Sequence, residues 1–98
     1  MNEHDARRAA RAAVGEVEGY RLVLTSHAKL RMRERNVTDV RVRSVLRGGN
    51  IVEGPSPSLR HGGWECAFHG AADGGLKVVA GFGRTENGMD VVVVTVVV

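Results

Sequence analysis

The chain ends in an apolar run, Val91 to Val98, broken only by Thr95. Crossing a bilayer as a helix takes ~20 residues, so this run is too short for that and reads as a buried strand. A strand with one wet face alternates apolar and polar residues. This one does not, so both of its faces are expected to be covered and its place is inside a sheet, not at an edge. Residues 50–98 supply the partners such a strand needs. Ile51 to Glu53, Trp64 to His69, Leu76 to Phe82 and Asp90 to Val98 carry strand patterns, joined by glycine-bearing segments. Trp64, Cys66 and Phe68 share one face of their strand and Glu65, Ala67 and His69 the other, as in a half-buried antiparallel sheet. Asn87-Gly88, in the last join, is a hairpin signal because both residues accept positive φ.

The first half has a different texture. Residues 3–14 are rich in Ala and Arg and closed by Gly15, but apolar side chains larger than Ala come only at the end, which points to a loosely docked or fraying helix. Tyr20 to Thr25 is a short edge strand or an extended lead-in. Ser26 offers an N-cap to a helix that Asn36 can stop in the left-handed conformation. Thr38 caps the next helix, in which Val42, Val45 and Leu46 form one apolar stripe before Gly48-Gly49. The expected fold class is therefore α+β: two short helices and a weak N-terminal one on one face of a four-stranded antiparallel sheet. Residues 1–19 form an N-terminal helical extension and 20–98 the domain proper. At 98 residues, 43% hydrophobic and 26% charged, the chain suits a single small globular unit.

Charge is unevenly placed. Residues 1–47 hold eleven Lys/Arg against six Asp/Glu, and residues 48–98 hold three against five. The net charge of +3 thus hides a basic first half, which permits an anionic partner. The single cysteine, Cys66, forms no internal disulfide, and residues 1–19 lack the apolar core of a secretory signal, so a cytoplasmic protein without membrane attachment is expected.

The stretch Ser26-His27-Ala28-x-x-Arg31-Met32-x-Glu34-Arg35-x-Val37-Thr38, followed by a second helix, by Gly48-Gly49-Asn50-Ile51-Val52-Glu53 and by glycine-punctuated strands, resembles a family of small bacterial domains of unassigned function. Those domains belong to the RelE/ParE toxin clan and are similar to the MqsR toxins. The resemblance spans roughly residues 20–97, with Asn36 standing where the family usually has glycine. It implies a RelE/ParE-like fold and, by analogy, a toxin that acts as a ribonuclease on mRNA beside a cognate antitoxin. It supplies no catalytic set, because members of the clan differ in their active-site residues.

His27, Arg31 and Arg35 are spaced four apart and fall on one helix ridge beside the inward stripe of Ala28 and Met32. That ridge is either a phosphate-binding surface with an imidazole that titrates near neutrality, or a set of arginines paired with Glu34, Glu53 or Glu65 while His27 buttresses the helix start. Metal-free RNA cleavage needs a base for the 2′-hydroxyl, an acid for the leaving 5′-oxygen and cations for the phosphorane. His27 and His69 are the candidate acid and base, with Arg84 as a catalytic cation. Arg31, Arg35, Lys77, Arg43 and Arg47 are the candidate RNA-binding residues. Lys77 and Arg84 also fit a solvated strand edge. Base stacking falls to Tyr20, Phe82 or Trp64, although Trp64 also suits the core.

Cys66 and His69 are oddly spaced on a strand and so point to opposite faces, and His4 and His61 show no zinc spacing; no metal or organic cofactor is expected. Cys66 itself, between Trp64 and Phe68, reads as a buried, inert thiol. A different class of function stays open: a non-catalytic protein-binding module of the same fold, such as a phage-encoded or host inhibitor of a nucleic-acid-processing complex.

Overall fold

A computed structural model describes residues 1–58 and 62–98; His61 lies outside the described residues. The elements follow in the order α1 (Glu3–Val14), β1 (Tyr20–Leu24), α2 (Ser26–Glu34), α3 (Asp39–Gly48), β2 (Asn50–Pro57), β3 (Trp64–Gly70), a single 3-10 turn (Ala71–Asp73), β4 (Leu76–Thr85) and β5 (Gly88–Val97). The fold is α+β, but the sheet has five strands and is mixed. Its order is β1-β5-β4-β3-β2. Strands β2 to β5 form the expected antiparallel meander. The lead-in Tyr20–Leu24 becomes a fifth strand, parallel to β5, with Tyr20 opposite Met89 and Leu24 opposite Val93.

That parallel pairing puts the valine-rich strand in the sheet interior, between β4 and β1. The expectation that both its faces are covered is not met, and the two are unequal. Val91, Val93 and Val96 are buried, whereas Val92, Val94 and Thr95 are half-buried and Val97 is exposed. The buried set joins one core cluster with Cys66, Phe68, Leu76, Val78, Ala80 and Phe82 from the same sheet face, and with buried residues of all three helices. The helices therefore form a single layer, and among the described residues the opposite sheet face has no helix on it.

Two local expectations change. Helix α1 is not loosely docked: Ala6, Ala9, Ala10 and Ala13 are nearly fully buried and Val14 is buried at its end. Alanines at this spacing make a narrow, small-residue face, which lets the helix backbone settle close to α3 and to strands β1, β2 and β5. The N-cap of α2 is Thr25, not Ser26. Thr25 Oγ1 accepts from the Ala28 amide at 3.0 Å and also donates to the Val93 carbonyl at 3.1 Å, so one hydroxyl ties the helix start to β5. Ser26 instead occupies the first helical position and is exposed. Thr38 caps α3 as expected, and Asn36 takes positive φ after α2.

The β4–β5 hairpin turns through Glu86 and Asn87, with Thr85 opposite Gly88. Positive φ falls on Gly88 alone of the Asn87-Gly88 pair. Gly88 lies where β5 meets the start of β1, and a Cβ there would land on the Gly19 carbonyl. The adjacent Met89 amide donates to that carbonyl at 2.7 Å, so glycine is required for the two backbones to meet.

Candidate nucleic-acid interface

Because Ala28 and Met32 are the buried positions of α2, the helix turns His27 and Arg35 outward. His27 is exposed and, among the described residues, makes no hydrogen bond or ion pair. Arg31, one turn on, is half-buried; its Nη1 lies 3.7 Å from Glu34 Oε1, and its Nε is buried without a hydrogen-bond partner. Arg35 is the C-cap and is exposed. The ridge read from the spacing is thus present, and it borders the core on the Arg31 side.

On α3, Arg43 Nε is held by Asp39 Oδ1 at 2.6 Å. Arg47 is exposed, and its carbonyl accepts from Arg11 Nε of α1 at 2.9 Å. Arg7 donates to the Gly49 carbonyl at 3.0 Å, and Arg41 to the Asp73 carbonyl at 2.7 Å. These arginines stitch α1 and α3 to the segments around them. The side chains of Arg8, Lys29, Arg33, Arg35 and Arg47 make no polar contact among the described residues and face solvent. Ten of the eleven Lys/Arg in residues 1–47 lie on α1, α2, α3 or the α2 C-cap, the exception being Arg21 on β1. The basic half of the sequence is therefore the helical layer.

The strand candidates fall elsewhere. His69 and Lys77 face each other across β3 and β4, as the hairpin reading requires. Lys77 is not on a sheet edge, since β4 is the central strand, and its Nζ is bound by Glu53 Oε1 of β2 at 2.6 Å. With its charge met by a carboxylate, Lys77 is a poor phosphate ligand. Arg84 is seven residues further along β4, roughly 23 Å at ~3.3 Å per residue, and the odd spacing puts it on the other face. His69 and Arg84 therefore cannot serve one reacting phosphate.

Arg84 belongs instead to a cleft of about 550 Å³ at the end of the sheet. Two cross-strand rows make its floor. Tyr20, Met89 and Arg84 are aligned across β1, β5 and β4, and Phe82 and Trp64, paired across β4 and β3, form the next row. Phe82 is buried and packs on Phe68 with ring centroids 6.5 Å apart at 48°. Asp5, Arg8 and Ala9 of α1 form the wall. Three of the chain's four aromatic residues thus meet one arginine from the sheet and one from α1. Arg8 and Asp5 escaped the sequence reading. Their signal was the alanine stripe beside them, which marks a packed helix once alanine is counted as an inward residue.

Cys66 is buried, with its thiol pushed up to about 12, chiefly by burial and further by the charges of Glu3 and Glu65. Among the described residues no three His, Cys, Asp or Glu side chains gather as a metal site, and no helix is long and apolar enough to cross a membrane.

Residues 24–98 match the family described as a domain of unknown function (DUF4258), and the chain belongs to that family. No curated protein and no solved structure gave a match. Helix α1 and Tyr20, which build one side of the cleft, precede the matched segment.

Proposed function

We propose that this member of the DUF4258 family is an RNA-binding domain of the RelE/ParE toxin type, similar to the MqsR toxins, that acts as a metal-independent endoribonuclease and is restrained by a cognate antitoxin. The observation that carries the RNA-binding part is the sorting of charge by layer. The helical layer holds nearly all of the basic first half, with five cationic side chains free of polar partners among the described residues, while on the sheet Lys77 and Arg21 are each met by a carboxylate and only Arg84, at the cleft, is free. A surface of unpaired cations on a rigid layer suits a polyphosphate backbone. On that layer His27 is the imidazole assigned as acid or base, with Arg31 one turn away.

The test has two arms. Affinity for a labelled oligoribonucleotide should fall steeply as salt rises, because each phosphate contact releases counterions. Inducible expression should arrest growth with loss of mRNA, and His27→Ala should relieve the arrest while melting like the parent. Binding that ignores salt, or no binding at all, sinks the reading.

A second reading, the non-catalytic protein-binding module, is favoured by the helix-free sheet face, where Val23, Val79, Val92 and Val94 remain half-buried. Under it, RNA is not bound and a protein partner covers those valines.

A further inference from the structure

The cleft at the sheet end differs in kind from the open helical surface: it is concave, aromatic and fed by cations from two elements. We propose that it takes one nucleotide of a single strand, an unpaired base together with its phosphate. This rests on the RNA-binding reading and names the part of the RNA that is held there.

Size is the first support. A volume of about 550 Å³ lies within the ~300–1,000 Å³ usual for small-ligand pockets. The lining is the second. Phe82 is a fixed apolar floor, half-buried Trp64 stands beside it, and Tyr20 is partly open to solvent at the mouth. Aromatic faces hold bases of any identity by stacking, worth ~1–3 kcal/mol per base.

The polar groups complete the match. Arg8 and Arg84 are exposed and, among the described residues, have no internal polar partner. A guanidinium presents paired donors that suit phosphate oxygens. Asp5 is the one carboxylate in the lining, and its position in the first turn of α1 places an acceptor among donors. The exocyclic amino groups of guanine, adenine and cytosine are donors that such an acceptor recognises. An acidic peptide would suit the arginines but would leave the Trp64 and Tyr20 rings without a flat partner.

Trp64 is the only tryptophan, so its emission reports on the cleft. The full chain should be titrated with each nucleoside 5′-monophosphate while Trp64 emission is followed, and in parallel with a dye-labelled oligouridylate read by anisotropy. The expected result is saturable quenching by mononucleotides, with affinity lowered at least about tenfold in Arg84→Ala and in Arg8→Ala, each melting like the parent. Arg33→Ala, on the helical layer, should weaken the oligonucleotide and leave mononucleotide quenching unchanged. Oligonucleotide binding with unaltered Trp64 emission and no mononucleotide effect overturns the cleft proposal and leaves the RNA-binding reading standing. Quenching indifferent to both cleft arginines also overturns it. Absence of binding in both formats removes the two together, and mononucleotide binding without oligonucleotide binding also overturns both, since the cleft would then take a free nucleotide and not one nucleotide of a strand.

Discussion

Replacing Thr25 by valine keeps the shape and the β-branch of the side chain and removes only its hydroxyl. That hydroxyl both accepts and donates: it accepts from the Ala28 amide at 3.0 Å, and its one proton is shared between the Val93 carbonyl at 3.1 Å and the Val94 carbonyl at 3.3 Å. Loss of an N-cap acceptor costs about 1 kcal/mol, and loss of a half-buried hydrogen bond about another 1 kcal/mol. The Val93 carbonyl keeps the Thr25 backbone amide at 3.3 Å, which limits the second figure. A total of about 2 kcal/mol corresponds to a fall in Tm of roughly 8–16 °C for a domain near this size. Thermal unfolding followed by far-UV circular dichroism measures it, with Thr25→Ser as the control that retains both bonds. The companion variant is Ser26→Ala. Ser26 is exposed at the first helical position and contributes no cap, so its change should stay within about ±0.5 kcal/mol. If Ser26→Ala melts lower than Thr25→Val, the capping geometry of α2, and with it the anchoring of the His27 ridge to β5, is wrong.

Ala10 is fully buried on α1, so Ala10→Leu should overpack the helix against its neighbours and cost about 1–3 kcal/mol in a urea titration; parental stability would show α1 to be an accessory extension. Gly88→Ala should cost on the order of 1–3 kcal/mol by strain alone, and more through the overlap with Gly19 that parts β1 from β5; a neutral melt would contradict that junction. Cys66 has its folded thiol pushed up to about 12 from an ordinary 9.0, so the burial of the neutral form stabilises the fold fully below about pH 9 and is lost as pH rises from there to about 12. Unfolding titrations across that window should show the parent losing more stability than Cys66→Ala, and equal slopes would refute the assignment.

Much of the fold was legible locally. The glycine-bounded strands, the Thr38 cap and the inward stripe of Val42, Val45 and Leu46 each follow from interactions within a few residues, and each is found; the β4–β5 hairpin is found too, but it turns through Glu86-Asn87, one residue before the Asn87-Gly88 signal. The place of Val91 to Val97 on an interior strand of the sheet is found as well, although only the face carrying Val91, Val93 and Val96 is buried. The His27, Arg31 and Arg35 ridge was legible because helical periodicity settles which side chains share a face.

Tertiary structure decided what depends on partners distant in the chain. Tyr20–Leu24 is too short to declare itself, and it becomes a strand because β5, some seventy residues later, offers an open edge for parallel pairing. Thr25, and not Ser26, is the cap, and the same hydroxyl ties the helix start to the Val93 carbonyl of β5. The alanines of α1 carry little burial energy singly, and their packing appears only once α3 and the sheet close over them. Lys77 and Arg84 look alike as cations of one strand, yet Glu53 two strands away neutralises the first, while α1 builds a cleft wall beside the second. Sequence patterns report forces that act along one element, whereas these outcomes are set where elements meet, and the positions of those meetings are set by the closing of the whole core.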